Sequence, residues 1–117
     1  MYKRQQEEIV DKGGLIFFAQ LNGEIVGTVA LLKIAENSYE LSKMAVNEKY
    51  QGKKIGQKLM QHCITTAKAM KLDSLFLFSN TKLIAAISIY EKYGFKEIPF
   101  ADENPYERSN IKMELVF

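Results

Sequence analysis

Residues 51–56, Gln-Gly-Lys-Lys-Ile-Gly, are the stretch whose types and spacing could do chemistry most directly. Two glycines allow positive φ and let a ligand approach the backbone. Two lysines bring positive charge. If a helix starts here, its first amides lack internal partners and its dipole favours an anion. Such a loop can cradle a phosphate; the alternative is a solvated basic turn. A second pair, His62-Cys63, invites a thiol–imidazole reading. Adjacent helical residues point about 100° apart, which argues against a dyad. Nor can they form a metal site, because the chain has one His and one Cys.

The elements that must position the loop follow from periodicity. Upstream, ELSKMAV (residues 40–46) reads as a strand that ends at a polar turn. Downstream, Ile55, Leu59, Met60, Cys63, Ile64 and Ala67 form one stripe of a helix. Cys63 belongs to that stripe and His62 to its polar flank, so Cys63 is expected to be buried and inert.

The rest of the chain is consistent with one domain, residues 1–117. Apolar content of 47% and charge of 26% are ordinary for a soluble globular protein. A net charge of +2 is too small to imply a nucleic-acid partner. One cysteine excludes an internal disulfide and fits a reducing compartment, so a cytoplasmic location is expected. The N-terminal residues lack the apolar core of a signal peptide, and no apolar run is long enough to span a membrane.

In chain order, residues 2–12 read as a short helix or helical remnant, broken by Gly13-Gly14. Strands are expected over 15–20 and 25–34, joined by a type I′ turn at Asn22-Gly23. Gly27 marks a bulge or a close contact. Another strand covers 39–46. Residues 74–79 are apolar on both faces, so this strand is central. Strand, helix, strand implies a parallel pair with a right-handed crossover. A second helix is expected over 81–93, ended by Gly94. A short strand at 95–99, a polar loop at 101–109 and an alternating strand at 110–117 complete a mixed α/β sheet of about six strands with two main helices.

Residues 41–60, LSKMAVNEKYQGKKIGQKLM, resemble the cofactor-binding segment of the GNAT superfamily of N-acetyltransferases. There a strand ending in Val precedes a Gln/Arg-x-x-Gly-x-Gly/Ala loop and a long helix. Gln51, Gly52 and Gly56 fit, while Lys54 stands where the middle Gly is usual. Residues 83–95, LIAAISIYEKYGF, resemble the second signature, an Ala-containing helix ending in Tyr-x-x-x-Gly-Phe. The resemblance covers about residues 14–117. A full domain of this family starts with one more strand and one or two helices, which are missing or reduced here.

The resemblance implies direct transfer of acetyl from acetyl-CoA to a small-molecule or peptide amine in a ternary complex, with no metal. Backbone groups of Met44, Ala45 and Val46 would pair with the pantetheine arm. Amides of Gln51, Gly52, Lys53, Lys54, Ile55 and Gly56 would cradle the pyrophosphate, with Lys53, Lys54 and Lys58 adding charge. Lys54 is strained if its φ is positive and harmless if it is helical. An N–H near Met44 or Ala45 would stabilise the oxyanion. Tyr90 is the implied general acid and Glu40 the implied base, acting through water. Tyr93 is read as packing. Asn80 either contacts cofactor or caps the second helix. The runner-up function is a non-catalytic acyl-CoA-binding module, or a truncated acetyltransferase lacking part of the acceptor site; an RNA-binding α/β sandwich is a distant third. A homodimer is expected, because LIFFAQ would form an apolar sheet edge.

Overall fold

A computed structural model describes residues 12–99 and 108–117. The expected helix over 2–12 and most of the loop over 101–109 lie outside the described residues.

Six strands form one sheet in the order β1-β2-β3-β4-β6-β5: β1 Leu15–Leu21, β2 Glu24–Ala35, β3 Ser38–Val46, β4 Ser74–Ser79, β5 Lys96–Ile98 and β6 Ile111–Val116. Two α-helices, α1 Ile55–Ala69 and α2 Ile84–Lys92, follow β3 and β4. The sheet is the mixed α/β arrangement that the alternation of periods implies. Asn22 and Gly23 both take positive φ (52° and 80°) in the β1–β2 hairpin, the backbone a type I′ turn requires.

α1 buries Leu59, Met60, Cys63, Ile64 and Ala67 against β-strand residues that include Val29, Leu31, Leu41 and Leu75. Gly27 lets the helix come close. A Cβ there would lie 3.1 Å from both Ile55 Cγ2 and Leu59 Cδ1. His62, on the exposed flank, meets the edge of the Phe17 ring at 4.6 Å.

β3 and β4 run parallel, but only Ser38–Ser74, Tyr39–Leu75 and Glu40–Phe76 pair. Beyond Glu40, β3 continues beside β2 and its other edge faces a cleft. Parallel neighbours place ligands at such a strand end. The β2–β3 ladder also skips. Ala30 pairs with Ser42 and Thr28 with Ala45, leaving Lys43 and Met44 opposite Val29. Lys43 takes φ 54°. This is a β-bulge, and a bulge re-aims side chains and leaves backbone groups out of the ladder.

One boundary differs from expectation. α2 starts at Ile84 rather than at residue 81. Asn80 Oδ1 accepts from the Lys82 N–H at 2.9 Å, and the Leu83 N–H donates to the Asn80 carbonyl. This Asx turn competes with the first helical turn, and the N-cap position falls on Leu83. Asn80 therefore does not cap α2.

Candidate active site

Two cavities open on the cleft. The first, a groove of about 460 Å³, runs between the free edge of β3, the start of α1 and the inner face of α2. Its apolar wall includes Met44, Val46, Ile55, Met60, Ala86 and Ile89, and its far end is formed by Gln51, Gly52, Lys54 and Gly56. Gly52 and Lys54 both have positive φ, 86° and 61°. Lys54 thus adopts the left-handed backbone that a Gly supplies without strain, at a cost of about 1 kcal/mol. Lys54 is also the N-cap of α1, no side chain caps the helix, and its first turn holds no acid. The N-terminal amides are thereby left for an anion. A Cβ on Gly56 would sit 3.7 Å from Met44 Sδ and 3.8 Å from Val46 Cγ2, so the helix start lies directly against β3.

The second cavity, about 340 Å³, lies on the other side of Met44 and Tyr90. Glu40, Ser42, Lys43, Asn80 and Arg108 contribute polar lining, and Leu77, Phe78 and Leu83 contribute apolar lining. Met44 and Tyr90 line both cavities. The two spaces therefore adjoin at these residues.

Tyr90 is held from two directions. Its ring meets Phe95 edge-on at 6.1 Å. Its carbonyl accepts from the N–H groups of Tyr93 and Phe95, where Gly94, at φ 100°, ends α2. Burial pushes its hydroxyl above the usual tyrosine range, so at neutral pH it keeps its proton. Glu40, 4% exposed, stands on the last rung of the β3–β4 pair. It is a carboxylate held where the strands part.

The structure brings Glu40, Met44 and Tyr90 together at the cleft, with Val46, Gln51, Gly52, Lys54, Ile55 and Gly56 along the groove. Ala45 and Lys53 do not line the groove; the Lys53 ammonium lies 5.5 Å from the Tyr50 ring centroid. Lys58 instead lines a separate cavity together with Phe17 and His62. Asn80 lines the second cavity, not the groove. Its Nδ2 donates to the Arg108 carbonyl at 2.7 Å. Tyr93 packs against the core. Cys63 is fully buried, and burial pushes its thiol up to about 12, so it is no nucleophile. Sequence reasoning missed the bulge at Lys43, the Tyr50 wall of the groove and Arg108. Only Tyr50 had a local signal, an aromatic one residue before the loop.

Among the described residues no group of three His, Cys, Asp or Glu side chains is arranged to hold a metal ion. Among them, too, no helix is long and apolar enough to cross a membrane.

A family model described as an acetyltransferase (GNAT) domain matches residues 12–97. An N-acetylaspartate synthetase of Xenopus tropicalis is 33% identical over 95 residues, which is 80% of this chain and 35% of that protein. An acetyltransferase of the GNAT family from Staphylococcus aureus Mu50 superposes with a TM-score of 0.82 at 30% identity, covering 97% of this chain and 74% of that one. A Bacillus subtilis acetyltransferase in complex with CoA gives a TM-score of 0.80 at 25% identity, covering 98% and 84%. The chain spans 35% to 60% of the length of the first curated relatives it matches.

Proposed function

The chain belongs to the GNAT acetyltransferase family, and from that premise we propose that it transfers acetyl from acetyl-CoA directly to an amine. The observation that carries the reading is the junction: two cavities that share Met44 and Tyr90. A donor held in one and an acceptor held in the other would meet there, and holding both at once turns a bimolecular step into an effectively unimolecular one.

The groove fits the donor. Its apolar wall and the free strand edge of Met44 to Val46 suit a thin arm that pairs as a strand would. The open amides around Gly52 and Lys54 suit the pyrophosphate. When bound, acetyl-CoA supplies an activated acyl group on a thiol leaving group. In the transfer a bond forms between the amine nitrogen and the acetyl carbon, and the carbon–sulfur bond breaks. The amine loses one proton and the departing sulfur gains one.

The chain's residues handle those protons and the charge. Glu40, through water, takes the proton from the amine. The Tyr90 hydroxyl, protonated at neutral pH, supplies one to the sulfur. The backbone N–H of Met44, which the bulge leaves out of a regular β2–β3 pair, would stabilise the negative charge that develops on the acyl oxygen. The name of the amphibian relative, a synthetase of N-acetylaspartate, supports an amine as acceptor class.

Two further proposals concern setting and assembly. A buried free thiol fits a reducing compartment such as the cytoplasm. Self-association as a homodimer would use β1, whose outer edge has no strand partner among the described residues and which exposes Phe18. Sedimentation equilibrium at micromolar concentration should show twice the 13.4 kDa chain mass; a single species at 13.4 kDa would remove the dimer.

The test of function is thiol release from acetyl-CoA on adding a panel of amines, with calorimetry of acetyl-CoA alone. Binding with amine-dependent thiol release is expected. Binding without release by any amine would favour an acyl-CoA-binding module.

A further inference from the structure

The acceptor cavity has a charge arrangement that the transfer chemistry does not require. Three of its lining residues have acidic or basic side chains, namely Glu40, Lys43 and Arg108. They are sorted by depth. Glu40 is buried, while Lys43 and Arg108 are exposed at the mouth. Neither cation lines the groove, so neither is there for the phosphates of the donor. Among the described residues the ion pair found is Lys33–Glu36, and neither Lys43 nor Arg108 takes part in one.

The backbone that carries each cation is set by structure. Lys43 sits in the β-bulge with φ 54°, a strained backbone for a lysine. The bulge interrupts the alternation that would otherwise set Lys43 opposite in facing to Ser42. Arg108 is anchored through its carbonyl, which accepts from Asn80 Nδ2 at 2.7 Å. The neighbouring Asn110 reinforces this. Its Oδ1 accepts from the Thr81 N–H at 2.9 Å, its Nδ2 lies 3.1 Å from Thr81 Oγ1, and its own N–H donates to the Ser79 carbonyl. The β4–α2 turn and the start of β6 are thus tied together beside the cavity, and Asn80 acts as a positioning residue for Arg108.

A buried acid in one cavity with two exposed cations complements a molecule with an amine at one end and an anion at the other. The volume, about 340 Å³, lies near the small end of ligand cavities. We propose that the acceptor is a small amine bearing a carboxylate, of the amino-acid type. Its nitrogen faces Glu40 and Tyr90, and its carboxylate faces Lys43 and Arg108. Arginine suits this task because its planar fork matches a carboxylate. The inference rests on the acetyl-transfer reading and narrows its acceptor.

Matched acceptors test it. Thiol release at saturating acetyl-CoA is measured with α-amino acids, including alanine and aspartate, with their α-carboxamides, and with spermidine. The amine of a carboxamide is the weaker base and is more fully deprotonated at neutral pH, so reactivity alone favours the amide. The expected result is a kcat/KM for the best acid about tenfold or more above that of its amide, a difference carried by KM. Arg108→Gln should cut the acid-to-amide ratio at least threefold, Arg108→Lys should restore part of it, and added salt should compress it. A general loss of fold would lower both rates and leave the ratio unmoved. Amides or spermidine turned over as well as the acids would overturn this inference and leave acetyl transfer standing. So would an acid-to-amide ratio unaffected by Arg108→Gln in a variant that keeps the parent's rate with the amides. Absence of thiol release with every amine would overturn both.

Discussion

The groove and the second cavity, the proposed acceptor site, meet at Met44 and Tyr90 but are assembled differently. The groove draws on one continuous run, residues 44–60, and on one face of α2. The cavity draws on β3, the end of β4, the N-cap Leu83 and the last turn of α2, and residues 108–109 before β6. The groove presents glycines, an uncapped helix start and an apolar wall, features suited to a ligand whose phosphates and thin arm are read through backbone. The cavity presents side chains, Glu40, Lys43, Asn80 and Arg108, held by a bulge and by cross-loop hydrogen bonds. On the proposed reading, a donor shared by many enzymes would be met by backbone shape, and an acceptor peculiar to one enzyme by replaceable side chains. Such a division would let one fold serve many acceptors.

The difference can be probed from its shared wall outward. Tyr90→Phe removes the hydroxyl and keeps the ring against Phe95. It should lower kcat by about a hundredfold or more, with the dissociation constant for acetyl-CoA moving less than about threefold. Equal turnover of variant and parent would take Tyr90 out of the chemistry.

The α1 stripe below the groove should be chemically silent, and its thiol offers a pH test. Burial holds Cys63 near 12, against 9.0 for a free thiol. The folded state therefore binds this proton more tightly than the unfolded state, and stability falls as pH rises from 9 toward 12. Between pH 9 and about 10.5 the loss from this group approaches about 2 kcal/mol. Urea unfolding of the parent and Cys63→Ala should show a shallower alkaline decline in the variant, whatever constant offset the lost volume adds. Parallel declines would mean that the thiol is solvated.

In the groove, Gly56→Ala should fold, because its Cβ meets neighbours at ordinary contact distances. Gly56→Glu should weaken acetyl-CoA at least about tenfold by calorimetry, through bulk and negative charge at the helix start. Unchanged affinity in a folded Gly56→Glu protein would move the phosphate site elsewhere. The smallest effect is expected at Lys54, whose φ of 61° suits glycine. Lys54→Gly should raise stability by about 0.5 kcal/mol, relief of strain being partly offset by the freer unfolded chain. A destabilised Lys54→Gly would show that the lysine makes a compensating contact.

The same division governs how much was legible in the sequence. The groove is contiguous, so Gly52, Gly56 and the shift from a strand period to a helical stripe at Ile55 announce it locally. The six strands follow from alternation and from punctuation such as Asn22-Gly23 and Gly94. The bulge at Lys43 left no mark, because Ser-Lys-Met carries no glycine and the register is set by pairing with β2. The late start of α2 arises from competition between an Asx turn and a helical turn, which residue types alone do not resolve. Glu40 and Tyr90 were found only through family resemblance, since their proximity depends on the splay of β3 from β4. Arg108 joins the cavity through a bond from Asn80, 28 positions away, and local sequence holds no trace of that contact.

The central claim is direct transfer across the shared wall, and initial-rate kinetics test it most directly. Acetyl-CoA and the best amine are varied together. Both cavities filled at once predict reciprocal plots that intersect. Parallel lines would require an acyl-protein intermediate, and with the chain's single thiol, Cys63, fully buried, that result would contradict the account.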